Sequence, residues 1–350
     1  MKESVSSGVK IIAVMKNWLG DLLFQMPALD LIKQKYPEAR ITCVAAERCR
    51  EILEAHPAVS DFLSFDEKGV HRSWFARIKF LGELRKKGPW DQGYLFHRSR
   101  SRALLLLLAG VKERIGYGRG RRIFLTRPLI EPAKPMHQLD YFFHLMKEAG
   151  FQLPDEKAYR FFLKPEDEKN AVKALESSEI RAGEKYLCFH LGANWGPKRW
   201  PCGHFAALAD KIAERMRVPI VVTGAAGDAP LWESFRSQVL RAKTVSLIGK
   251  TGLRASAAVY KRAICLVTGD SGPMHIASGV GASVVALFGP TDPKLTGPRG
   301  TGDSIVLQYV PSGFSIPFFG KEKDLPEGEW LAKISPDQVF EAIERILKKA

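Results

Sequence analysis

The stretch VKIIAVMKNWLGDLLFQMPALDLIKQKYPEARITCVAA, residues 9–46, holds the pattern from which the fold is read. Residues 9–15 form an apolar run, as expected of a parallel strand covered on both faces. From Asp21 to Lys35 the apolar residues fall at 22, 23, 26, 29 and 32, a helical spacing that Pro37 ends. Residues 40–46 are apolar again and read as the next strand. The alternation continues through a short strand at 62–65, a basic helix at 73–87, a strand at 92–96, a helix at 99–109, a strand at 113–117 and a helix at 137–149. It lapses between Gly150 and Pro165. It restarts with helices over 167–177, 203–216, 230–240, 253–262 and 273–279, interleaved with strands over 186–190, 218–223, 244–247, 264–268 and 283–288. Residues 309–328 read as loop. Ser335 and Pro336 open a last helix over 336–349, with Ser as cap and Pro in the first turn. Strict alternation in both halves predicts an α/β protein of two doubly wound parallel-sheet domains facing a cleft. The expected boundaries are 1–160, 161–330 and a closing helical segment, 331–350.

The chain has 350 residues, 45% hydrophobic and 26% charged, a composition that excludes disorder and collagen-like repeats. Its 53 Lys and Arg outnumber 38 Asp and Glu, a net +15. Between Lys68 and Arg127 there are 16 Lys/Arg against 3 Asp/Glu, so this stretch holds +13 of that excess. A charge so confined fits an anionic partner (nucleic acid, acidic lipid or a phosphorylated glycan) or a face kept for solubility. The aromatics there read mostly as core, and no nucleic-acid motif accompanies them. No apolar run reaches the ~20 residues of a spanning helix, and 9–15 reads as a strand, not a signal peptide. The cysteines at 43, 49, 188, 202 and 265 are odd in number and form no CxxC pair. They read as free thiols of a reducing cytosol.

In open parallel sheets ligands sit beyond the carboxyl ends of strands, so the loops there carry the chemistry. After the first strand, Gly20 turns the chain and Asp21 opens a helix. Asp21 reads either as a first-turn carboxylate complementing the helix dipole or as a base for a sugar hydroxyl. The loop 190–201 brings Asn194, Lys198 and Arg199 to the end of a second-half strand, a donor set suited to a diphosphate. Asp228 ends a small-residue turn and suits ribose hydroxyls or a helix cap. At 268–275, Ser271 and Gly272 lead into a helix whose amides suit an anion, Asp270 braces the loop, and His275 lies one turn in. The turn 288–293 is rigid. Walker, H-E-x-x-H, G-x-S-x-G and Asp-x-Asp patterns and clustered metal ligands are absent from the sequence.

Together NWLGD (17–21), GANWGPKRWP (192–201), GDSGPMHIAS (269–278) and ALFGPTDP (286–293) resemble the ADP-heptose:lipopolysaccharide heptosyltransferases of glycosyltransferase family nine, leaning towards the heptosyltransferase II branch. The resemblance covers nearly the whole chain. It implies a GT-B fold with the acceptor on the N-terminal domain, the sugar nucleotide on the C-terminal one, and a final helix packing back across the boundary. It implies an inverting transfer from ADP-heptose to the lipopolysaccharide inner core, with no cofactor and no essential metal, and a cytoplasmic enzyme peripheral to the inner membrane. The implied general base is Asp21. Lys198 is the implied diphosphate contact, with Arg199 as its alternative beside Trp200-Pro201. Asp228 is implied at the ribose, and Ser271 and Gly272 at the phosphates. Two departures stand out: the loop before KRWP lacks an alanine usual in that branch, and Pro273 replaces a leucine. Placed in an acceptor-binding half, the basic stretch implies that Arg98, Arg100, Arg102, Arg119, Arg121 and Arg122 face acidic core sugars and the anionic leaflet. A family member with another sugar nucleotide or acceptor, and a basic nucleic-acid-binding protein, are the competing readings.

Overall fold

The computed structural model describes residues 8–313, 316 and 330–349. Most of the 309–328 stretch therefore lies outside the described residues. The chain divides into two compact units, Met1–Tyr159 and Arg160–Ala350.

In the first unit the strands are β1 (Lys10–Val14), β2 (Arg40–Ala45), β3 (Val59–Ser64), β4 (Gln92–Leu95), β5 (Glu113–Tyr117) and β6 (Arg127–Leu129). Between and after them run α1 (Leu19–Leu23), α2 (Met26–Lys35), α3 (Arg50–Leu53), α4 (Trp74–Lys87), α5 (Arg100–Leu108) and α6 (Gln138–Glu148). The strands form one sheet in the order β3-β2-β1-β4-β5-β6, every pair parallel. Alternation along β1 sends Ile12 and Val14 into a core shared with Phe80 and Leu84 of α4 and Ala103 and Leu106 of α5. Ile11 and Ala13 point to the opposite face. The single helix expected over 21–35 is two. Pro27 cannot continue a helix through its own position, and the chain restarts with Pro27 in the first turn of α2. The sequence reading missed β6, whose Pro128 hides a three-residue edge strand.

The second unit repeats the plan. Its strands are β7 (Leu187–His190), β8 (Ile220–Thr223), β9 (Thr244–Ser246), β10 (Leu266–Gly269), β11 (Val284–Phe288) and β12 (Ser304–Gln308). Its helices are α7 (Pro165–Glu176), α8 (Cys202–Arg215), α9 (Ala229–Arg236), α10 (Leu253–Arg262), α11 (Gly272–Gly279), α12 (Pro293–Thr296) and α13 (Pro336–Leu347). The sheet order is β12-β11-β10-β7-β8-β9, again all parallel. Its central strands β7, β8, β10 and β11 are buried throughout. The edge strand β12, which the sequence reading missed, alternates exposed and half-buried residues.

The apolar face of the closing helix is used within its own unit: α13 packs on α8, β11 and β12. Val339, Phe340, Ile343 and Ile346 join the core formed by Phe205 and Ile212 of α8 with Phe189 and Leu287 of the sheet. Ser335 caps this helix in a reciprocal box with Gln338. Ile343 is fully buried, so Ile343→Ala should lower the unfolding free energy of this unit by about 2–5 kcal/mol. Urea denaturation checks this, and an unchanged midpoint would place α13 outside the core.

Candidate active site

Each sheet has one point where the strand order turns. β1 pairs with β2 on one side and β4 on the other, and β7 pairs with β8 and β10. Connections leaving on opposite faces open a crevice there, at the carboxyl ends. The motif loops stand at these two points.

In the first unit the loop after β1 is drawn tight by Gln25, a fully buried glutamine. Its Oε1 accepts the Lys16 N–H at 3.0 Å, and its Nε2 donates to the Asp21 carbonyl at 3.0 Å. The Lys16 ammonium then reaches Asp21 Oδ1 at 2.9 Å and Gln138 Oε1 of α6 at 3.3 Å. The Asp21 side chain keeps 29% of its surface exposed. Asn17 Oδ1 takes the Ala46 N–H, fastening the loop to the end of β2. Sequence reasoning gave Lys16 and Gln25 no role. The available signals were a lysine directly after a buried strand and a glutamine on an apolar helix.

The arginines divide. Arg98 donates to Tyr141 and pairs with Glu131 at 2.9 Å. Arg100, Arg119 and Arg122 are exposed. Two expectations are corrected. Arg121 is buried, with Nη1 on the His97 carbonyl at 3.3 Å. Arg102 is also buried, tied to Glu67 at 2.9 Å and to the Met15 carbonyl at 3.0 Å. Neither side chain offers a surface to a glycan or a membrane; Arg102 instead fastens α5 to the end of β1.

In the second unit, Lys198 Nζ lies 2.6 Å from Asp270 Oδ2, and the Thr291 hydroxyl donates to that same oxygen at 2.8 Å. The pair spans the turning point, since Lys198 follows β7 and Asp270 follows β10. Gly269 makes this approach possible: a Cβ there would stand 2.2 Å from the Lys198 carbonyl oxygen. Arg199 donates to the Ala193 carbonyl at 2.9 Å and Asn194 is exposed. Trp200 is buried beneath the loop, edge-on to Phe205, and its indole N–H bonds the Ile334 carbonyl at 3.0 Å. In the sequence Thr291 reads only as part of a rigid turn. Its contact with Asp270 depends on folding 21 residues of chain back, which no local pattern reveals.

Ser271 precedes α11 and gives its first turn no side-chain cap, its hydroxyl lying 3.1 Å from that of Thr268. The first-turn amides of α11 therefore present the donor array that suits a phosphate. Pro273 occupies that first turn and His275 is buried one turn in. Asp228 precedes α9 but gives it no side-chain cap; its Oδ2 reaches back instead to accept the Ala225 N–H at 2.9 Å. Its carboxylate fills the space where a Cβ on Gly192 or Gly224 would stand. All five cysteines are free thiols, and burial pushes Cys49 up to about 11 and Cys265 up to about 12. Among the described residues no three His, Cys, Asp or Glu side chains gather as a metal set.

The model of glycosyltransferase family 9 (heptosyltransferase) matches residues 77–313, well over half of the chain. The chain belongs to glycosyltransferase family 9. It is 26% identical to lipooligosaccharide heptosyltransferase 2 of Haemophilus influenzae, over 97% of this chain and 100% of that one. A solved family 9 glycosyl transferase from Veillonella parvula superposes with a TM-score of 0.88 at 25% identity, covering 98% of each chain. The E. coli ADP-heptose lipopolysaccharide heptosyltransferase II superposes with a TM-score of 0.78 at 22% identity, over 97% of this chain and 99% of that one. The paired six-stranded parallel sheets are those of the GT-B fold, and the protein is a glycosyltransferase.

Two outcomes test this description of the family 9 chain. Gly269→Ala must push the Lys198 backbone aside, so the urea midpoint of the second unit should fall, and an unchanged midpoint would mean that the loop yields without cost. The second concerns pH. Burial lowers His56 to about 4, and burial with Arg102 alongside lowers His97 to about 4. These imidazoles stay neutral when folded and charge when unfolded, so the unfolded state binds more protons between pH 6.5 and 4. Stability should be full above pH 6.5 and decline as pH falls towards 4. The urea midpoint of His56→Gln should fall less steeply over that window.

Proposed function

We propose that this protein transfers a heptose from ADP-heptose to the inner core of lipopolysaccharide, with inversion at the anomeric carbon and no essential metal. The family membership and the full-length likeness to heptosyltransferase 2 proteins support the reaction class. The observation that carries the mechanism is the carboxylate of Asp21, oriented by Lys16 at the end of β1 and still open to a substrate.

An acceptor hydroxyl donates its proton to Asp21 as its oxygen attacks the anomeric carbon. The bond to ADP breaks on the opposite face, and the negative charge passes to the diphosphate. Lys198 is placed for that charge: an ammonium has three donors, and Asp270 takes one. The amides at Ser271 and Gly272 add fixed donors, and Arg199 a further cation. Asp270 and Thr291 hold Lys198 in place, while Asn194 and His275 support the surrounding loops. Asp228, beyond its contact with Ala225, is the residue for the ribose. Arg98, Arg100, Arg119 and Arg122 are the arginines that remain for the acidic sugars of the acceptor.

The acceptor is a glycolipid, so the enzyme works as a peripheral protein on the cytoplasmic face of the inner membrane. Among the described residues no helix is long and apolar enough to cross a membrane. The deciding test is Asp21→Asn, assayed for ADP release and product mass with ADP-heptose and a truncated core glycolipid. Loss of a general base should lower kcat roughly 10²–10⁴-fold with the donor KM nearly kept. Near-normal turnover in this variant would remove Asp21 from the proton transfer.

A further inference from the structure

The residues that the catalytic description leaves unused are concentrated on one face of the first unit. α4 buries Phe80 and Leu84 and turns its opposite side to solvent. That side opens with Trp74 and Phe75, 63% and 68% exposed and with ring centroids 4.0 Å apart, followed one turn on by exposed Ile78. Further along the same side stand the exposed cations Lys79 and Lys86.

α5 lies alongside. Glu67, just ahead of α4, pairs with Arg102 in the first turn of α5. Arg85, near the end of α4, donates to the carbonyl of Leu108, the last residue of α5, at 2.9 Å. Pinned at both ends, the helices run in the same direction, and both pack on the core through their inner sides. The outer stripe of α5 is Leu104, Leu107 and Leu108, all exposed. The short turn Arg122–Phe124 packs on α5 and adds Ile123, 84% exposed.

A face that mixes Trp, Phe, Ile and Leu with lysine and arginine matches an anionic bilayer. Aromatic side chains settle at the headgroup level and aliphatic ones enter the acyl boundary. Cations beside them are drawn to anionic lipid. A protein partner for so basic a surface would need a matching acidic face, and an apolar stripe alone gives no reason for the positive rim. This α4–α5 surface also lies within the 68–127 stretch that holds +13 of the chain's +15.

We propose that the α4–α5 face, led by Trp74, Phe75 and Ile78, is the surface by which this protein docks on anionic phospholipid. The proposal deepens the reading of a lipid-borne acceptor and rests on it for its purpose. The test is flotation of the full chain with vesicles of phosphatidylcholine, with or without phosphatidylglycerol. The wild type should float with the anionic vesicles only, and less so as salt is raised. The variant W74S/F75S/I78S should partition roughly tenfold less or weaker still, while L240S, a control at an exposed leucine of the second unit, floats as wild type. All three proteins should transfer heptose equally to a lipid-free core oligosaccharide.

Undiminished flotation of the triple variant overturns the proposal. So does a wild type that ignores anionic vesicles, including one that self-associates in a way the triple substitution abolishes. A wild type that floats but transfers to no acceptor leaves the docking face supported and overturns the activity instead. A wild type that transfers but does not float overturns the docking face alone.

Discussion

Two parallel strands that share a neighbour but send their connections to opposite faces cannot both close their ends. In each sheet that constraint acts once, between β1 and β4 and between β7 and β10. The pairs Lys16–Asp21 and Lys198–Asp270 stand at those two openings. The hydrogen-bonded ladder cannot fill them, so side chains must. The first sheet places a lysine and an aspartate there, and the second a lysine, an aspartate and a threonine. In both, the lysine follows the first strand of its sheet, and an acidic partner restrains a chain that would otherwise sample many rotamers.

Holding those groups requires contacts beyond the loops themselves. Gln25 is buried and satisfies two backbone groups of the loop that carries Asp21. Trp200 does the equivalent work in the second unit, where its indole bonds the Ile334 carbonyl. That bond links the loop of Lys198 to the segment leading into α13. Gly289 lies against the same segment, since a Cβ there would come within 3.1 Å of Trp330 Cβ. The closing helix is therefore coupled to the site through its own unit, by way of residues 330–334. The physical need is plain: a loop with two glycines, Gly192 and Gly196, has little rigidity of its own at those positions.

The fold was legible because its central strands are covered on both faces and its helices on one. Continuous apolar runs and 3.6-residue spacing follow directly from that difference. What escaped were elements whose pattern is weak for a physical reason. β6 contains a proline, β12 lies at an edge and is half exposed, and α2 restarts at Pro27 in the middle of an apparently single helix. For the site, the residues at strand ends could be named from position. Their partners could not: Asp270 meets Lys198 across 72 residues and Gln138 meets Lys16 across 122. Only the sheet order brings such residues together, and sheet order is not written in any one loop.

The positive charge shows how far composition can be taken. Counted along the chain, the arginines of residues 98–122 look alike, yet burial separates them into two kinds. Arg102 and Arg121 lie within the unit; the guanidinium of Arg102 holds a carboxylate and a carbonyl at once, and that of Arg121 holds the His97 carbonyl. A lysine in place of Arg102 could not reproduce that planar set. Arg100, Arg119 and Arg122 stay in water, where charge acts at a distance and position matters less. The cations in a net charge are therefore of two kinds, those that hold the fold and those left exposed to solvent. Only the second kind should weaken an interaction with anions when neutralised. The first kind, once removed, leaves its carboxylates and carbonyls without a donor, and the loss appears in the fold.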